Sequence, residues 1–205
     1  MAKSGDKYHH GNLPGALVQA ALSILDEGGA ADLSVRAAAR RAGVSSGAPF
    51  RHFASREALL AAVAGEALRR LRVGIEEATA SAGEDPLARY EAIGIAYLAW
   101  AFANPTHFEI ISTRGLLDRE DAQGLREENG KLIEATEQAL RDAAGAGRIE
   151  SRDVQSILIA GRALVYGLAR MRLDGHYPRW GVDPDAVDPA AAGALRLFIE
   201  SIRRR

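Results

Sequence analysis

Apolar residues recur at helical spacing along almost the whole chain, and no stretch alternates with the period of two that marks a strand. Leu13, Leu17, Ala20, Ala21, Ile24 and Leu25 share one face and predict a helix over about residues 12–27, stopped by Gly28 and Gly29. Val35, Ala38, Ala39 and Ala42 predict a second, capped by the hydroxyl of Ser34 and ended by Gly43, where a left-handed residue meets no Cβ clash. Its small side chains let another helix come close. Val44 is expected as a buried plug at the corner, with Ser45 or Ser46 capping a short helix through about Phe53. Pro49 is tolerable in the first turn of that helix, because first-turn N–H groups lack intrahelical partners. Ser55 caps a long helix over residues 57–80, with Leu59, Leu60, Val63, Leu68, Leu71 and Ile75 on its buried side.

The later pattern is helical too. Residues 85–104 are apolar around most of their circumference, and Asn104-Pro105 ends that run. Thr106 is expected to cap a short helix over residues 107–113, and residues 119–144 form a long charged amphipathic helix. Ser151 caps a helix through Leu173, a Gly- and Pro-rich loop spans residues 174–188, and Pro189 opens a last helix to about Ile202. The helix over residues 151–173 is apolar on two faces: Leu158, Val165, Ala169 and Leu173 on one, and Ile157, Gly161, Leu164 and Leu168 nearly opposite. Such a helix must be buried on both sides, so one face is expected to meet the body's own core and the other a partner. Gly161 and Gly167 would permit the close approach. With the last helix this predicts a four-helix interface in a homodimer, against the alternative of a self-contained monomeric bundle.

Charge changes the picture most between Ser34 and Arg56, where five arginines (Arg36, Arg40, Arg41, Arg51, Arg56) and His52 stand with no acidic residue. Two helices joined by a tight turn, with a third behind them, form a helix-turn-helix, whose second helix lies in the DNA major groove. The alternative is an ordinary helical hairpin with a solvated arginine face; the lack of carboxylates favours nucleic acid. Up to Arg72 there are ten Lys/Arg against six Asp/Glu, and beyond it sixteen against twenty-one, which hides behind an overall charge of −1. A basic head on an acidic body implies that the head alone meets phosphate. The polar arm over residues 1–8 carries Lys3 and Lys7 and is either a further contact to DNA or a frayed terminus.

The stretch AGVSSGAPFRHFASREALL resembles the signature of the TetR family of transcriptional regulators, and the match runs without a gap over about residues 13–60. Two positions depart from it. Phe50 stands where a tyrosine is usual, removing a hydroxyl that would reach a phosphate, and Arg56 replaces the usual lysine with a fork suited to phosphate oxygens. The resemblance implies an all-α protein with an N-terminal three-helix helix-turn-helix DNA-binding domain and a C-terminal helical ligand-binding and dimerisation domain. The expected boundaries are residues 8–71 and 72–205, with the helix-turn-helix over residues 34–53. It also implies a homodimeric repressor, a palindromic double-stranded operator and a small-molecule effector. The DNA-facing set is then Ser34, Arg36, Ser45, Ser46, Gly47, Ala48, Phe50, Arg51, His52 and Arg56. Ser46, Ala48 and Arg51 are the candidates for base edges, and Ser34, His52 and Arg56 for phosphates.

Composition narrows the rest. The chain has 205 residues, 47% of them apolar, and no cysteine, which excludes disulfides, cysteine nucleophiles and thiolate metal sites. The stretch MAKSGDKYHHGN is polar and lacks the apolar core of a signal peptide, and the longest apolar run, residues 93–103, falls short of the ~20 residues of a membrane span, so a cytoplasmic protein is expected. The five histidines have no metal-ligand spacing, and neither a phosphate loop nor a nucleophile elbow is present, so no cofactor and no enzyme activity are expected. The competing readings are a helical enzyme or small-molecule binder built on the body, with His107 as a base, and a helical scaffold that pairs with protein.

Arg162 lies inside the apolar helix, followed at four-residue steps by Tyr166 and Arg170. A charge there is costly unless it is paired or meets an anion. It is either a pocket group gripping a carboxylate, with Tyr166 supplying a hydroxyl, or an ion pair to Glu109, Glu134 or a partner chain; the ion pair is the favoured alternative. GRALVYGLARMRLDGH also resembles a helix of a TetR branch with a WHG-type C-terminal domain, but Arg162 and Tyr166 stand where that branch has Trp and His. The candidate ligand-binding residues are Trp100, His107, Phe108, Arg162 and Tyr166, with Tyr97, Phe102 and Ile111 as further wall candidates.

Overall fold

Three short polar side chains set the beginnings of the first large helices. The computed structural model describes residues 12–45, 47–150 and 154–204. Asn12, Ser34 and Ser55 each accept the backbone N–H three residues on, at 3.0, 3.0 and 3.1 Å, and start α1 (Leu13–Gly28), α2 (Val35–Arg41) and α3 (Arg56–Ser81). Asp85 likewise starts α4 (Pro86–Ala103), with Pro86 harmless at the first position. Then follow α5 (Pro105–Ile111), α6 (Gln123–Gly145), α7 (Val154–Leu173) and α8 (Val187–Ile202). Among the described residues there are eight α-helices and no strand.

The local differences from the sequence reading have identifiable causes. The helix expected from Ser45 or Ser46 through Phe53 is only a 3₁₀ turn, Pro49–Arg51. Pro49 has no N–H to give back to Ser45, and the turn closes through tighter bonds, Ala48 N–H to Ser45 O and Arg51 N–H to Ala48 O, before Phe53 N–H returns to Pro49 O at α-helical spacing. Ser46 lies outside the described residues, as does Ser151, the expected cap of α7. Thr106 does not cap α5, because Pro105 already occupies its first position, and the Asn104 amide closes α4 on the Trp100 carbonyl at 2.8 Å. α6 starts at Gln123 rather than Arg119, because Arg126 reaches back to the Leu117 and Arg119 carbonyls and holds the segment before it in turns. α8 starts at Val187, and Pro189 falls inside its first turn.

α4 is the centre of the body, packing on α3, α5, α6, α7 and α8, while α3 joins the head helix α1 to α4, α5 and α6. One apolar cluster therefore runs from Leu17 and Leu25 through Leu59, Leu71, Leu87 and Phe108 to Leu140 and Ile199, through head and body alike. α7 can lie close against α4 because residue 161 is glycine. A Cβ there would sit 2.0 Å from the Tyr90 hydroxyl, which is itself buried against the Ile157 carbonyl at 3.5 Å. The opposite face of α7 is bare: Ile159 is 61% exposed, and so is Leu197 of α8, at 74%.

Candidate DNA interface and body cavity

Pro49 and Phe53 are buried and anchor the 3₁₀ turn, which packs on α1 and α2. The residues between them point outward: Phe50 is 43% exposed, and Arg51 and His52 are exposed. Gly43, at φ 68°, turns the chain between α2 and this segment, in a conformation that a Cβ would strain. Arg36, Ser45 and Gly47 are exposed, and Ser34 and Ala48 half-buried. Ser34 uses its hydroxyl oxygen as an acceptor for the Ala37 N–H. Arg56 is half-buried, and its Nε donates to the Leu33 carbonyl at 3.0 Å, so part of its guanidinium ties α3 to the lead of α2 rather than facing solvent.

Of the arginines in this stretch, Arg41 is paired with Glu27 of α1, and its hydrogen bond holds the Glu27 carboxyl below the usual carboxylate range. Arg36, Arg40 and Arg51 have no carboxylate partner among the described residues and are exposed. Arg40 is therefore as available as the residues derived from the sequence, and its place in the acid-free stretch was the available signal. An exposed, uncompensated set of guanidinium groups beside a turn with a small-residue surface fits a phosphate-lined groove.

The body holds a cavity of about 610 Å³. Leu68 and Ile75 of α3, Tyr90 and Tyr97 of α4, Asn129 and Thr136 of α6 and Arg162 and Tyr166 of α7 line it, together with aliphatic residues and glycines of α4, α6, α7 and α8 and with Ile111 and Leu117. Arg162 is the sole formally charged residue among those lining it. Its Nη1 donates to the Tyr97 hydroxyl at 3.0 Å, and its guanidinium carbon lies 5.2 Å from the Tyr97 ring centre and 5.1 Å from that of Tyr166. No ion pair to Glu109 or Glu134 forms, which corrects the within-chain part of the favoured sequence reading: the two tyrosines on α4 and α7 bracket the guanidinium instead. Burial raises the Tyr97 hydroxyl above its ordinary range against the lowering effect of Arg162, and pushes Tyr90 up to about 12, so both stay protonated donors.

The other three candidates are not on this wall. Phe108 lies behind it, fully buried, with its ring 6.3 Å from Tyr97 and 5.7 Å from Tyr166. Trp100 packs on His107 at 6.4 Å, Phe102 carries Arg172 over its ring, and His107 faces α1. Helical spacing alone does not separate a residue on the wall from one a layer behind it. Tyr90, Asn129 and Thr136 were missed, since a polar residue on an amphipathic helix gives no sign of facing inward.

Residues 90–197 match the tetracyclin repressor-like C-terminal domain, and residues 17–63 match bacterial regulatory proteins of the tetR family. The chain belongs to the TetR family of DNA-binding transcriptional regulators. The HTH-type transcriptional regulator BetI of Stenotrophomonas maltophilia is 36% identical over 77 residues, 38% of this chain. The chain thus spans only 39% of that relative's length. A protein of unknown function from Rhodococcus sp. RHA1 has a similar structure, with a TM-score of 0.82 and 30% identity over 98% of this chain and all of that one. The ketosteroid transcriptional regulator KstR2 of Mycobacterium tuberculosis, at 18% identity, shares the fold alone, with a TM-score of 0.66 over 94% of this chain and 95% of that one. No helix among the described residues is long and apolar enough to cross a membrane.

In this TetR-family chain, His107 sits where the body meets the head. It is 4% exposed on α5, its Nε2 has no hydrogen-bond partner, and Asp26 of α1 stands 3.6 Å away. Burial lowers its pKa below the ordinary value; exposed Asp26 works against this and Arg70 of α3 adds to it. The folded state therefore prefers neutral His107. Its contribution is complete above the unfolded pKa of about 6.5 and is lost as pH falls from there through the lower folded pKa. Urea midpoints should fall between pH 7.5 and 5.5 in the wild type and fall less in His107→Phe; equal falls would show that His107 does not titrate on unfolding. Glu66, pulled down to about 2 chiefly by its hydrogen bond from Arg69, loses its contribution in a separate window below about pH 4.5.

Proposed function

We propose that this regulator is a homodimeric repressor that reads a palindromic operator with its helix-turn-helix and releases it when a small effector fills the body cavity. Residues 8–71 form the DNA-binding head and residues 72–205 the regulatory and dimerisation body. The observation that carries the reading is the course of α3. Capped by Ser55, it begins at Arg56, just behind the outward-facing Arg51, and continues into the body, where its Leu68 and Ile75 line the cavity. A change of cavity shape therefore acts on a rod whose other end carries the DNA-reading turn.

Arg51, Ala48 and Ser46 are assigned to base edges and Ser34, His52 and Arg56 to phosphates, with Arg36, Ser45, Gly47 and Phe50 completing the surface. Dimerisation through α7 and α8 accounts for the exposure of Ile159 and Leu197, whose burial is favourable at about 25 cal/mol per Å². Ile159 and Ala163 also line the cavity, so a partner seated on α7 would cover one side of its mouth. A twofold pair of heads suits a palindrome. The protein works by binding rather than catalysis, in the cytoplasm; His107, the base of the enzyme reading, lies off the cavity wall.

Selection of fragments from the source genome by the purified protein at physiological salt tests this. The expected product is a short palindrome with half-sites about one helical turn apart. Enrichment of single half-sites would sink the dimeric reading, and no enrichment would sink the operator reading.

A further inference from the structure

Arg162 is a charge held in place where the surrounding wall offers it no counterion. No carboxylate lines the cavity among the described residues, and Arg162 pairs with none elsewhere among them. One of its five N–H groups goes to the Tyr97 hydroxyl, and the two tyrosine rings restrict its plane. Arg162 is an exposed residue, and the Tyr97 bond and the two rings restrict its guanidinium before any ligand arrives, leaving an edge that matches the two oxygens of a carboxylate.

We propose that the cavity takes an amphipathic organic acid, its apolar body filling the interior and its single carboxylate gripped by the Arg162 guanidinium. The proposal rests on the reading of this cavity as the effector site. A volume of about 610 Å³ falls within the range of small-molecule sites, and Leu68, Ile93, Leu132 and Leu158 offer such a molecule an aliphatic interior. A cationic ligand would meet Arg162 with no compensating carboxylate on the wall. A neutral one would desolvate the guanidinium and leave it unpaired. A dianionic headgroup would bring more negative charge than one arginine neutralises. The Asn129 amide of α6, also on the wall, can donate to the headgroup, while the Thr136 hydroxyl, which donates to the Leu132 carbonyl at 2.8 Å, is left as an acceptor for a polar substituent on the body.

Calorimetric titration of the full chain with two matched series tests the assignment: decanoate, 1-decanol and decylammonium, and naphthalene-2-carboxylate with its alcohol and ammonium counterparts. In at least one series the acid should bind about 10- to 100-fold more tightly than the alcohol, compete with it for one site, and exceed the ammonium member by more. Arg162→Met should remove that advantage while the alcohol's affinity stays unchanged. Tyr97→Phe, which frees the guanidinium without removing it, should weaken the acid by a smaller factor. Alcohols that bind as well as the acids in both series, or an acid affinity untouched by Arg162→Met, would overturn the anion assignment and leave the cavity reading standing. If no member of either series binds, both fail together.

Discussion

Replacing Phe108 by alanine should destabilise the protein by about 3–5 kcal/mol, among the larger effects of any single side-chain truncation. Phe108 is fully buried on α5, and its ring backs both Tyr97 and Tyr166, which bracket Arg162. Truncation therefore loses the transfer energy of an aromatic ring and leaves a hole that two large neighbours cannot close without moving. For a chain of this length the thermal midpoint should fall by roughly 6–20 °C. The loss should extend to function, because Tyr97 and Tyr166 would no longer hold the guanidinium plane. Unfolding in urea measures the first effect. A change below about 1 kcal/mol would show that the site collapses freely and that the tyrosine bracket needs no support from behind.

The second large effect concerns the head. Arg51→Ala should weaken operator binding by about 10- to 100-fold and relax preference at one base position of each half-site, since a bidentate arginine–guanine contact discriminates by about 1–3 kcal/mol. Arg51 is exposed on the 3₁₀ turn, between buried Pro49 and buried Phe53, and no described carboxylate holds it back. Fluorescence anisotropy against the selected operator and a scrambled duplex, at several salt concentrations, separates two roles. Loss of preference with an unchanged salt slope marks a base contact. Uniform weakening with a slope reduced by about one marks a phosphate contact. Unchanged binding to both duplexes would remove Arg51 from the interface.

These two residues also differ in how far the sequence exposes their roles. The exposed, uncompensated position of Arg51 is legible because the relevant information is local: an acid-free run, a cap at Ser34, a turn glycine at Gly43 and a cap at Ser55 lie within a short stretch. The length of the reading helix was not legible, although the cause, Pro49, was in plain view. A proline tolerated at the start of a long helix consumes much of a short one. Phe108 is the opposite case. Its spacing places it on the inner face of α5, but which side chains it meets depends on where α4 and α7 cross.

The sequence by itself determined the elements and their order, the basic head on the acidic body, and the TetR family. Helical periodicity, capping and charge runs are properties of neighbours along the chain, and they survive being read one residue at a time. Tertiary structure decided what the body presents. It turned Arg162 toward Tyr97 and Tyr166 rather than toward Glu109 or Glu134, moved Trp100, His107 and Phe108 off the cavity wall, and set Tyr90, Asn129 and Thr136 on it. The reason is geometric: a wall is made where faces of several helices meet, and their crossing depends on contacts such as Gly161 on Tyr90, between residues far apart in the chain.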